Sequence, residues 1–168
     1  MVVAACSPNQ EQPNREQPAT SSTTTNLDAS TTTALSTTPT TSLDQEDLSG
    51  WEVATVSVEG EDLLVAVADD ASERAQGLMG VEDLGDLDGM LFVFPAEATG
   101  GFWMKDTILP LDIAFFAADG TLVEVLTMEP CQADPCRLYV PSSPYLWALE
   151  APAGTLVGLS SESSLVVP

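Results

Sequence analysis

Residues 111–126 read LDIAFFAADGTLVEVL, two apolar runs, Leu111–Phe116 and Leu122–Leu126, on either side of Asp119-Gly120. An Asp-Gly pair between such runs is a strong short-range sign of a β-hairpin, because Gly accepts the positive φ that a tight turn needs. Working outward, Val53–Val58 and Leu63–Val67 flank Glu59-Gly60 and predict a second hairpin. Asp69-Asp70-Ala71-Ser72 then offers N-caps, Glu73 sits in the first turn and Gly77 gives a stop, so a short helix is expected over Ala71–Gln76. Gly89–Phe94 is an apolar run closed by Pro95 and reads as a buried strand. Phe102-Trp103-Met104 opens another extended segment, and Tyr145–Glu150 and Ser164–Val167 complete the set. Short strands with one or two short helices predict an α+β, mostly β fold, a single compact β-barrel-like or sandwich-like domain.

The ten aromatic residues, three Trp, two Tyr and five Phe, all fall between Trp51 and Trp147. Residues 7–50 are mostly Ser, Thr, Pro, Gln, Asn and acids with no aromatic residue. They bury too little apolar surface to offset chain entropy and read as a disordered tether, which leaves residues 51–168 as one folded domain. The chain carries 26 Asp plus Glu, 4 Lys plus Arg and no His, a formal charge of −22. Within 51–168 there are 20 acids against only Arg74, Lys105 and Arg137, a net charge of −17. So few cations exclude nucleic-acid binding, which rests on Lys and Arg at phosphates. They also exclude electrostatic attachment to an anionic membrane, and mutual repulsion favours a monomer. Without His, the chain holds no Ser-His-Asp triad, no Cys-His dyad and no imidazole metal ligand.

No cofactor and no metal are expected. Asp83-Leu-Gly-Asp86-Leu-Asp88-Gly89 looks calcium-like, but placing Gly89 sixth in an EF-hand loop puts Leu84 first and Pro95 twelfth, where the ligands must be. No phosphate-binding glycine spacing is present either, and no run of 18 apolar residues predicts a transmembrane helix.

Val3-Ala4-Ala5-Cys6 looks like a bacterial lipobox, small residues before a cysteine that would carry a lipid. Five residues are fewer than an export signal with its h-region of about 7–15 residues requires, so 1–6 is read as a residual signal with lipidation at Cys6. Residues 7–50 would then tether the domain to the cell membrane with a random-coil reach of roughly 35 Å. Membrane association is expected only through that lipid. Cys6 also explains an odd cysteine count, leaving Cys131 and Cys136 to pair across a loop with two prolines. Such a disulfide contributes ~2 kcal/mol by chain entropy. The C-x4-C spacing fits neither a thioredoxin-like nor a zinc motif.

Three motifs in order carry a family resemblance: Arg74-Ala-Gln-Gly77-Leu-Met79, Gly89-Met-Leu-Phe-Val-Phe94 and Phe102-Trp-Met-Lys-Asp-Thr-Ile-Leu-Pro-Leu-Asp-Ile113. With Asp119-Gly120, Pro130-Cys131, Leu149-Glu150 and Ala153-Gly154, residues 53–168 resemble the domain of unknown function 192, a family of small, often exported proteins. The resemblance implies no established activity. It also implies Asn after Trp-Met-Lys, where this chain has Asp106.

Two of the domain's three cations, Arg74 and Lys105, sit inside these motifs, and Asp112 is enclosed by Leu111 and Ile113. One expectation is a structural ion-pair network in which Lys105 or Arg74 meets Asp112 or Glu150. Another is a cleft where Arg74, Trp103, Lys105, Asp106, Asp112 and Glu150 converge on a polar ligand, a sugar or short peptide. The function expected is a non-enzymatic binding or accessory module of the cell envelope. The alternatives are a hydrolase or transferase acting on envelope glycans through Asp112 and Glu150, and a purely structural envelope protein.

Overall fold

The structure, a computed structural model, describes residues 48–168; Cys6 and most of the 7–50 segment lie outside them. The described chain runs β1 (Glu52–Val58), β2 (Glu61–Ala68), α1 (Ala71–Gln76), β3 (Gly89–Ala98), β4 (Phe102–Trp103), β5 (Leu111–Phe116), β6 (Leu122–Met128), β7 (Leu138–Tyr139), β8 (Tyr145–Pro152) and β9 (Leu165–Val166). Both expected hairpins form, β1 with β2 and β5 with β6. The helix occupies the expected residues because its start is fully capped. The Asp70 carboxylate accepts from the Ser72 and Glu73 backbone N–H groups at 2.7 and 2.9 Å, and Glu73 accepts in return from the Asp70 N–H at 3.2 Å. Gly77 ends the helix at φ 52°, donating to the Glu73 carbonyl at 2.8 Å.

Seven strands form one sheet in the order β6-β5-β8-β3-β2-β1-β9, and β4 pairs with β7 in a small second sheet. β2 and β3, whose pairing the sequence left unassigned, run parallel, so α1 and the segment after it form the crossover that parallel strands require. β3 also continues past Pro95 to Ala98. The missing proline N–H interrupts the ladder, and pairing with β8 skips from Val93↔Trp147 to Ala98↔Tyr145.

The sheet is apolar on both faces. Ala66, Met90, Phe92, Ile113, Phe115 and Ala148 face a cluster completed by Leu78, Val81 and Met104, while Val56, Val65, Leu91, Ala114, Phe116 and Leu149 face a second with Leu156 and Leu165. The two edges of the sheet meet through a bridge, Thr121↔Ser164, with Leu122 N–H donating to the Ser163 carbonyl at 3.0 Å and Leu165 N–H to the Gly120 carbonyl at 2.8 Å. The sheet thus curls until its edges touch at one end, which realises the barrel-like expectation. Gly120 is required there on two counts, a φ of 84° and a Leu165 carbonyl oxygen that a Cβ would meet at 2.6 Å.

The expected disulfide between Cys131 and Cys136 is present, with Cα atoms 5.5 Å apart. It closes the loop leading into β7, and the Cys131 N–H donates to the Met104 carbonyl at 3.2 Å.

Candidate functional site

Partner residues of an antiparallel ladder share a face, so the registers assign the two candidate carboxylates directly. Glu150 is opposite Met90 on β3 and Ile113 on β5, both in the first cluster. Asp112 is opposite Ala151, in the second. They lie on opposite faces of the sheet and do not form the facing pair that a glycosidase needs.

Asp112 is fully buried, and its partners are not the cations expected from sequence. One carboxylate oxygen accepts from the Thr127 hydroxyl at 2.8 Å, and the other from the Gly154 and Leu156 backbone N–H groups at 2.7 and 3.1 Å. Asp112 is therefore a clasp that fastens the turn after β8 onto β5 and β6. Gly154 takes φ 95° in that turn, which gives the Ala153-Gly154 motif a conformational meaning.

Glu150 is the opposite case. It is 4% exposed in the middle of the sheet, and among the described residues no donor reaches its carboxyl. Burial pushes that group up to about 8. Glu150 lines a small cleft with about 30 Å³ of solvent-accessible space, together with Arg74, Leu78, Met79, Phe92, Phe102, Trp103 and Thr107. Three of the expected residues, Arg74, Trp103 and Glu150, thus share one cleft.

The elements around the cleft explain how each arrives. Arg74, on α1, directs Nη1 to the Asp69 and Val93 carbonyls and lies 5.2 Å from the Phe94 ring centroid. The ion-pair network with Asp112 or Glu150 does not form, because this guanidinium is held by carbonyl oxygens and an aromatic face. β4 turns Phe102 inward and Trp103 outward by strand alternation. Phe102 meets Phe92 edge to face at 5.0 Å and Phe115 at 5.7 Å, and that ring cluster, anchored by Tyr145, forms the cleft wall. The Lys105 ammonium lies 5.8 Å from the Trp103 ring centroid. Asp106 does not enter the cleft lining. It takes φ 54°, and its carbonyl accepts from Gly80 N–H at 2.9 Å, tying the segment after α1 to the turn after β4. Asn and Asp both tolerate this left-handed backbone, so the exchange of Asn for Asp at this position needs no shared side-chain role.

Sequence reasoning missed Thr107 as a site residue: it lies within the 102–113 motif, in the turn after β4, but nothing in its type or spacing marked it as lining the cleft.

Comparison with known proteins bears out the resemblance. The family model of domain of unknown function 192, described as "Uncharacterized ACR", matches residues 54–165. A solved structure from Sinorhizobium meliloti, described as a candidate transcription regulator, is similar at 32% identity and TM-score 0.63, covering 70% of this chain and 95% of that one. A protein of unknown function from Novosphingobium aromaticivorans is similar at 26% identity and TM-score 0.60, covering 72% and 89%. None of the curated proteins matches.

Proposed function

We propose, from the premise that this chain belongs to the domain of unknown function 192 family, that its domain is a non-enzymatic binding module whose ligand enters the cleft above Glu150. The observation that carries this reading is Glu150 itself, 4% exposed, lining the cleft, with a carboxyl that no donor reaches among the described residues. No buried side-chain oxygen among the described residues is left both enclosed and unpaired, so the Glu150 carboxyl is open to the cleft, where a ligand group can supply the donor that the protein does not. A role on nucleic acid is not carried over from the Sinorhizobium relative, because the domain has three cations against 20 acids.

A thermal-shift screen of the full chain against short peptides and cell-wall sugars tests this reading. A ligand at 100 times its Kd adds ~2.7 kcal/mol. The shift is expected in the native chain and lost in Glu150→Ala. A shift that persists in that variant moves the site elsewhere, and silence across the panel favours a purely structural role.

The module works at the cell envelope, held by a lipid on Cys6 through the segment that precedes the fold. The support is the lipobox-like Val3-Ala4-Ala5-Cys6 and the Cys131–Cys136 disulfide, a bond favoured in oxidising, extracytoplasmic compartments. Expressed in a bacterial host from its full precursor, the chain is expected to partition with membranes, and Cys6→Ser to release it. Equal partitioning of the two overturns lipid anchoring.

A further inference from the structure

The chemistry around Glu150 narrows the ligand class, on the condition that the cleft is a binding site as proposed above. We infer that the group received in the cleft is a primary ammonium, which places its N–H donors on the Glu150 carboxylate beside the Phe102 ring.

Four observations lead there. The Glu150 carboxyl lacks donors, and an ammonium brings three. Its cross-strand neighbours, Met90 and Ile113, are apolar, so an ion pair formed here is poorly screened. The cleft wall is aromatic through Phe92 and the inward-turned Phe102, and aromatic rings attract an ammonium. The domain's charge of −17 draws cations toward it and repels anions. The charged group that faces the cleft from α1 is Arg74, whose Nη1 is turned to the Asp69 and Val93 carbonyls. Thr107 adds a hydroxyl, which donates to the Lys105 carbonyl at 3.3 Å and keeps its lone pairs as acceptors.

Binding in this form ionises Glu150, and its proton leaves to solvent. With the free carboxyl at about 8, roughly 0.9 proton should be released per ligand at pH 7. The affinity of an ammonium that does not itself titrate in the range should rise about tenfold from pH 6 to pH 7.

Calorimetry of the full chain with n-butylammonium, in buffers of different ionisation enthalpy, reads both quantities. Butyrate and tetramethylammonium serve as charge and donor controls. The expected result is binding of butylammonium with proton release, weak binding of tetramethylammonium, none of butyrate, and loss in Glu150→Gln with partial recovery in Glu150→Asp. Comparing Nα-acetyl-lysinamide with glucosamine then separates a peptide source of the ammonium from an amino-sugar source. Butyrate binding that weakens with rising pH and is lost in Glu150→Ala overturns the ammonium assignment but leaves the cleft as a site. Absence of binding by all three alkyl probes, with no change at the cleft resonances in NMR spectra, overturns the ammonium assignment and the cleft reading together.

Discussion

Asp112→Ala is expected to cost the domain roughly 3–5 kcal/mol, although Asp112 is remote from the cleft. The substitution leaves the Gly154 and Leu156 N–H groups without their acceptor, and deprives Thr127 of its cross-strand partner. A buried donor without a partner costs about 1–3 kcal/mol, and bonds to an ionised acceptor are the stronger ones. Small domains are stable by about 5–15 kcal/mol, so a large share of the fold's margin would disappear. Urea denaturation of the native chain and the variant checks this. Asp112→Asn, which keeps an acceptor oxygen, should fall between them. A loss below about 1 kcal/mol for the alanine variant would refute the clasp, as would an Asn variant worse than the Ala one.

Glu150→Gln has the opposite sign, and its size depends on pH. The carboxyl is pushed up to about 8 in the fold from an ordinary 4.5, so between those values the folded state binds the proton more tightly than the unfolded chain. Stability associated with this group is complete below about pH 4.5 and is lost as pH rises through about 8. Each pH unit in that window costs up to about 1.4 kcal/mol, on the order of 4 kcal/mol from pH 5 to pH 9. Gln has nearly the same shape and does not ionise. Its stability should therefore stay flat over this range, close to the native chain at pH 5 and several kcal/mol above it at pH 9. Tyr145, raised by burial to about 12, lies outside the window. Asp70 and Asp119, held low chiefly by a backbone bond from Glu73 and a hydroxyl bond from Thr121 respectively, act at the acid end. Parallel stability curves for the two chains would mean that Glu150 is solvated and ordinary. The same result would remove the reason to expect a ligand there.

The elements legible in the sequence were those whose signals are local. Asp119-Gly120 and Glu59-Gly60 mark turns by backbone chemistry, and Asp70 with Glu73 marks a helix start by reciprocal capping. The parallel pairing of β2 with β3 was not legible, since the apolar run at Gly89–Phe94 says that the strand is buried and not which strand it joins. The two-residue strand β7 is too short for any periodicity.

At the site, the sequence marked Asp112 as a carboxylate in apolar company and Glu150 as a second candidate carboxylate, and both are buried. It did not reveal that they face opposite ways. β5 is buried along its whole length, so alternation of polar and apolar residues, the usual guide to a face, is absent. Nor could it identify the Asp112 donors. Two of them are backbone N–H groups, which nearly every residue carries, and the rare cations were the visible candidates instead. Arg74 was drawn into the network for that reason, and the fold places it against carbonyls.

The binding role rests on Glu150 as a nearly buried carboxyl that opens on the cleft and that no donor reaches among the described residues. Carbon-detected NMR of the side-chain carboxyl in the full chain, followed from pH 4 to pH 10, measures it directly. A midpoint near 8 that rises no further and falls on addition of n-butylammonium is the expected result. A midpoint in the ordinary carboxylate range, about 4–5, would contradict it.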